Sequence, residues 1–167
     1  MLKTNEVDSL VRADPLAAQQ FVGVFALDKI PDFTNIQQPQ SLVFNTDPHC
    51  CPGQHWVAIH LDPVTRTSEY FDSYGILPIY RQAMQTLSSI SPTRINFNAE
   101  TLQELDSTLC GHYCVVYLWE KARGTPLSRW LENFSQDDSL NDQGIELLLA
   151  NHLANQKRPD LLPIAMV

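Results

Sequence analysis

The stretch "CGHYCVVYLWEKARGTP", residues 110–126, decides the fold class. Composition leaves it ambiguous, because Val115 and Val116 favour a strand. Length resolves it. The run from Cys110 to Ala122 outlasts an ordinary strand, and Arg123-Gly124 and Pro126 are helix-end signals. The spacing predicts a buried helix over 110–122. Upstream, "QELDSTL" (103–109) is polar and turn-rich, so Cys110 sits where a loop gives way to that helix.

Working outward, "NEVDSLVRA" (5–13) reads as a short amphipathic helix with Val7, Leu10 and Val11 on one side, followed by Pro15. "FVGVF" (21–25) is a short apolar segment. "SLVFN" (41–45), "HWVAIHL" (55–61), "SEYFD" (68–72) and "RINFN" (94–98) read as strands. "PIYRQAMQTLSSI" (78–90) reads as a helix with proline in its first turn, and further helices are expected at 127–134 and 140–155. Residues 158–167 are expected to be a loosely held tail. This order predicts an α+β fold: a central mixed β-sheet flanked by helices, with a buried helix carrying a cysteine at its N-terminus. The length of 167 residues suits one domain over 1–167.

With 44% hydrophobic and 18% charged residues, the chain can fill one core. It has no apolar run near the ~20 residues that span a bilayer. The first 15 residues lack a basic segment followed by an apolar one, so no signal peptide is expected. Net charge is −8 and the 11 Lys and Arg are scattered, which argues against a nucleic-acid partner. Cys50, Cys51, Cys110 and Cys114 fit neither a disulfide framework nor a CxxC motif. Free thiols in a soluble intracellular protein fit better. The residues His49-Cys50-Cys51, His55 and "CGHYC" lack paired zinc-knuckle spacing, so neither metal nor cofactor is expected.

Strands 55–61 and 68–72 flank "DPVT" (62–65), whose Asp-Pro start is a type I turn signature. If Asp62 and Thr65 close that turn, His55 lies directly across from Asp72, with Cβ atoms about 5 Å apart. Glu69, three residues from Asp72, points to the opposite face. A carboxylate at that distance orients an imidazole. A structural His–Asp pair gives the same pattern.

A thiol at a helix N-terminus is favoured as thiolate, more so beside a cationic histidine. Gly111 would leave room for a substrate backbone, and Cys114, one turn deeper, reads as a small core residue. Gln103, on the loop before Cys110, could offer its amide to an oxyanion beside the Cys110 backbone N–H. A base, an orienting acid, a nucleophile and an oxyanion donor are the parts of a cysteine acyl-transfer site.

The chain resembles the adenovirus-type cysteine proteases (adenain), in the same clan as the SUMO-deconjugating proteases. The resemblance rests on His55-Trp56, an acid 17 residues later at Asp72, Gln103 seven residues before Cys110-Gly111, and the second cysteine of "CGHYC". Weaker similarity lies in "FVGVF", "IPDF" and "VFNTD", so that roughly 20–122 is covered. It implies a thiol endopeptidase whose narrow cleft accepts glycine beside the scissile bond. His55 would be the base, Asp72 its partner, Cys110 the nucleophile, Gln103 an oxyanion donor, and Trp56 a wall of the cleft. Trp56 lies on the opposite strand face from His55, so a core role fits it equally well. Maturation of viral or transposon-encoded capsid proteins is the setting the family suggests, in a virion or in the host nucleus or cytoplasm. Deconjugation of a ubiquitin-like protein and an inactive binding module are the alternatives. Family activation uses a viral peptide disulfide-linked to a cysteine shortly before the glutamine, and DNA. Residues 91–103 contain no cysteine and the chain is acidic. Any activator is therefore expected to be a non-covalent peptide along strand 94–98.

Overall fold

The computed structural model describes residues 1–156. The tail expected at 158–167 lies outside the described residues. In chain order the elements are α1 (Thr4–Ala13), α2 (Pro15–Gln20), β1 (Phe21–Ala26), β2 (Gln40–Asn45), β3 (Trp56–Asp62) and β4 (Thr67–Phe71). Then come α3 (Arg81–Ile90), β5 (Ile95–Phe97), α4 (Cys110–Ala122), α5 (Leu127–Leu131) and α6 (Asp138–Gln156). The five strands form one mixed sheet in spatial order β1-β2-β3-β4-β5. β2, β3 and β4 pair antiparallel, while β1 and β5 add parallel at the two edges.

Period-two alternation assigns the strand side chains to two cores. Leu42, Phe44, Val57, Ile59, Leu61 and Tyr70 face α3 through Ala83 and Leu87. Val43, Trp56, Ala58 and Phe71 face the other way, onto α4. α4 is buried along most of its length, because α1 and α6 pack on it from outside while the sheet lies beneath. That enclosure explains why its sequence is apolar on every side rather than along a stripe.

Several local readings are corrected. Pro15, which follows α1, opens a second helix that was not expected, as the first residue of α2, a position where its missing N–H costs nothing. Asp14 caps that helix, its Oδ1 accepting from the Leu16 and Ala17 amides at 3.0 and 2.8 Å. The apolar segment at 21–25 is the edge strand β1. Pro78 lies outside α3, which starts at Arg81 after a tight turn in which Ile79 N–H donates to Leu77 O. α5 stops at Leu131, short of the expected 134.

The β3–β4 connection is two residues longer than a closed Asp62–Thr65 turn. Asp62 pairs with Thr67, and Arg66 takes a left-handed φ of 54°. The cause is the Asp62 carboxylate. It accepts from the Val64 and Thr65 amides and from the Thr65 hydroxyl, winding the chain round its own side chain before the ladder starts.

Asp14 also ties distant elements together. Its fully buried carboxylate takes Arg123 from the end of α4 and His152 from α6, the latter at 3.1 Å. Removing it uncaps α2 and leaves the Arg123 guanidinium and the His152 ring without their shared acceptor. Asp14→Ala is expected to lower the unfolding free energy by about 2–4 kcal/mol. A urea melt showing a loss under about 0.5 kcal/mol, the range of ordinary surface substitutions, would contradict this.

Candidate active site

His55 immediately precedes β3 and Asp72 immediately follows β4. The longer turn corrects their expected direct opposition. Carried onward, the observed register sets His55 against Tyr74, and their rings stack at 4.9 Å. A shift of two residues preserves the face, whereas a shift of one would reverse it. Asp72 therefore still reaches the ring, with His55 Nε2 donating to Asp72 Oδ1 at 2.9 Å. Glu69 lies opposite His60 on the other face, where it accepts from Tyr117 and Lys121, both at 2.8 Å.

Asp72 is held from three sides. Its Oδ1 also accepts from the Tyr74 amide at 2.8 Å. Its backbone N–H donates to Asn98 Oδ1 at 3.0 Å and its carbonyl accepts from Asn98 Nδ2 at 2.6 Å. Asn98 is buried just past β5, so the edge strand is what clamps the acid.

With Nε2 committed to the carboxylate, the other ring nitrogen, Nδ1, is buried and free of protein partners. Cys110, the first residue of α4, lies close enough to act on this ring, though no ordinary-length hydrogen bond joins them. Burial pulls the His55 pKa down. The hydrogen bond and charge of Asp72, together with Cys110, outweigh it and lift the pKa to about 9.

Gln103 is fully buried and both amide hydrogens are engaged. Its Oε1 accepts from the Ser73 hydroxyl at 2.7 Å. Its Nε2 donates to Ser107 O at 3.0 Å and to the Tyr74 hydroxyl at 3.2 Å. The structure thus brings His55, Asp72, Gln103 and Cys110 to one end of the sheet. It adds Asn98, Ser73 and Tyr74, which sequence reasoning missed.

Residues 21–131 match the adenovirus endoprotease family. The chain belongs to that family. The protease of frog adenovirus 1 is 29% identical over 111 residues, covering 59% of this chain and 53% of its own, so the chain spans about half of that relative. Among solved structures, the ASFV pS273R protease superposes with a TM-score of 0.57 at 20% identity, covering 88% of this chain and 67% of that one. The SUMO protease Ulp1 gives 0.53 at 14%, covering 91% and 79%. At such identities the two structures show a shared fold.

Within this endoprotease-family site, Trp56 is buried against α4, and its Nε1 donates to Leu2 O at 2.9 Å. It also lines a cavity of about 440 Å³ with Leu2, Asn45 and Gly53. The reason for Gly111 is corrected: the space beside it is not open. A Cβ there would meet Trp56 Cδ1 at 3.1 Å and Leu2 at 3.3 Å. Cys114 is fully buried, and burial raises its thiol pKa well above the usual value. His49 pairs with Asp28, and among the described residues no three His, Cys, Asp or Glu side chains converge as a metal site.

The His55 shift has a measurable sign. Its folded pKa of about 9 exceeds the usual 6.5, so the stability it contributes is complete below about pH 6.5 and fades as pH rises through about 9. An NMR titration should find the His55 midpoint near 9 and a lower midpoint in Asp72→Asn. An unchanged midpoint in that variant would contradict the assignment of the shift to Asp72.

Proposed function

We propose that this chain is one cysteine endopeptidase domain that cleaves protein substrates at sites with glycine near the scissile bond. The observation that carries the reading is the His55–Asp72 hydrogen bond, which leaves the second ring nitrogen free beside Cys110 at the start of α4. Membership of the adenovirus endoprotease family supports a protease; the glycine preference and the setting in capsid-protein maturation are what the resemblance to that family implies.

In this mechanism the Cys110 thiolate attacks the scissile carbonyl carbon. The carbonyl oxygen becomes an oxyanion, stabilised by the Cys110 backbone N–H and a Gln103 amide hydrogen. Protonated His55 gives its proton to the leaving amine as the C–N bond breaks, leaving a thioester on Cys110. Neutral His55 then takes a proton from water, whose oxygen attacks the thioester, releasing the acid and restoring the thiolate–imidazolium pair. Asp72 orients the ring and stabilises its charge. Trp56 walls the approach beside its cavity, and Gly111 allows it to pack against α4.

β5 is an exposed edge, with Phe97 44% exposed. A cavity of about 410 Å³ lies between it and α5, lined by Ile95, Phe97, Leu127 and Leu131. An extended peptide adding a strand there would act on Asp72 through Asn98. This is the non-covalent activator that the absence of a cysteine in 91–103 leaves room for.

The test is turnover of glycine-containing peptides, beside ubiquitin-like fusions, by reduced protein free of nucleic acid. Turnover should vanish in Cys110→Ala. In Gln103→Ala, kcat should fall about 10²–10³-fold with KM little changed. A raised KM with kcat preserved would reassign Gln103 to ground-state binding. Cleavage confined to the fusions would make the protein a deconjugating protease. Strong, salt-sensitive stimulation by DNA would overturn the inference drawn from the net charge of −8.

A further inference from the structure

Tyr74 touches two members of this machinery at once. Its ring lies over the His55 imidazole at 4.9 Å with an interplanar angle of 30°. Its hydroxyl accepts from Gln103 Nε2 at 3.2 Å. The rest of the Gln103 amide is fixed without it. Ser73 donates to Oε1 at 2.7 Å, and one N–H is given to Ser107 O at 3.0 Å. An amide nitrogen carries two hydrogens. The one resting on Tyr74 is thus the one left for a reacting group, and it sits on the longer and weaker of the two contacts.

We propose that the Tyr74 hydroxyl is a resident stand-in for the oxyanion, occupying the second Gln103 N–H in the resting enzyme and surrendering it as the tetrahedral intermediate forms. This rests on the reading of Cys110, His55 and Gln103 as a cysteine protease site. Tyr74 is suited to it in three respects. The side chain is only half buried, so water can take over its vacated lone pair. Its own proton points away, toward Ser107 O at 3.2 Å, which makes the oxygen an acceptor toward Gln103. The phenol also stays neutral, because burial first, and then the charge of Cys110, raise its pKa above the usual value. A neutral acceptor holds the amide more weakly than an oxyanion does, so the exchange runs toward the transition state.

Occupation has two effects. It keeps a fully buried N–H satisfied before substrate arrives, where an empty one would carry a desolvation penalty. It also means that part of the oxyanion's stabilisation is offset by a bond already present. Tyr74 is therefore a positioning residue acting through Gln103, while its ring packs on the base.

The experiment is a double-mutant cycle on peptide turnover with Tyr74→Phe, Gln103→Ala and the double variant, with Cys110→Ala as the blank. Tyr74→Phe keeps the ring over His55 and frees the amide hydrogen. It should raise kcat/KM about 2- to 10-fold, the worth of one neutral hydrogen bond. In the Gln103→Ala background the same substitution should change kcat/KM by less than about twofold, because the group it acts through is gone. The side-chain amide resonances of Gln103 give a readout independent of turnover: Tyr74→Phe should shift one of the two Nε2 protons and leave its neighbour in place. A lower kcat in Tyr74→Phe would make the hydroxyl itself an oxyanion donor and overturn the proposal. An unchanged kcat/KM, or a gain that persists without Gln103, overturns it equally. Absence of Cys110-dependent turnover in the unmodified protein would instead defeat the protease reading beneath it.

Discussion

The structure depends on enclosing α4 between the sheet and the outer helices. The helix buries Tyr113, Tyr117, Leu118 and Trp119 at once, each worth roughly 1.5–3 kcal/mol of transfer from water. Three of those side chains carry polar tips that must be satisfied away from water. Each tip finds a partner in a different part of the chain. The Tyr113 hydroxyl donates to Leu102 O and to Asp142, Tyr117 donates to Glu69 on β4, and the Trp119 indole donates to Leu10 O and Val11 O of α1. These bonds fix the helix lengthwise and in rotation. Its N-terminus, and Cys110 with it, is thereby set at the end of the sheet where β3 begins and β4 ends.

His55, Asp72 and Gln103 lie just outside regular elements, and each is held by hydrogen bonds from a neighbouring segment. His55 is anchored through its carbonyl, which accepts from Thr46 N–H beyond β2. Asp72 is clamped by Asn98, and Gln103 by the Ser73 hydroxyl and by Ser73 O, which accepts from the Leu102 and Gln103 amides. Asp72, the loop carrying Gln103 and the edge strand are thus one hydrogen-bonded body. Burial would favour a neutral His55, and the Asp72 carboxylate reverses that preference. The same carboxylate leaves Oδ2 buried without a protein partner, and a lone buried acceptor of this kind is strained in favour of any donor that reaches it.

Much of this was legible in the sequence where the signal was local. The span of α4 follows from an apolar run bounded by end signals, and the strand character of β2 and β3 from their composition. The pairing of His55 with Asp72 was legible for a reason that survived an error. The expected turn was two residues short, because the carboxylate of Asp62 winds the loop in a way that backbone turn rules do not encode. An even shift kept both residues on one face. Glu69 was separable from Asp72 by parity alone. Asn98, Ser73 and Tyr74 were not legible. Their partners lie 26 to 30 residues away in the chain, and nothing in the composition around them marks the contact. Gly111 was noticed for open space it does not have, because the Trp56 and Leu2 side chains that fill it come from distant segments.

The account stands on Cys110 being the reactive thiol of a pair with His55, and the relative alkylation rates of the four cysteines at neutral pH test this most directly. Cys50 and Cys51 are exposed, whereas Cys110 is 3% exposed and Cys114 is fully buried, so accessibility alone ranks Cys110 behind the first two. Measured by iodoacetamide labelling and peptide mapping, Cys110 is predicted to react fastest and to slow sharply in His55→Ala. Faster labelling of Cys50 or Cys51 with Cys110 inert, or a Cys110 rate indifferent to His55, would contradict it.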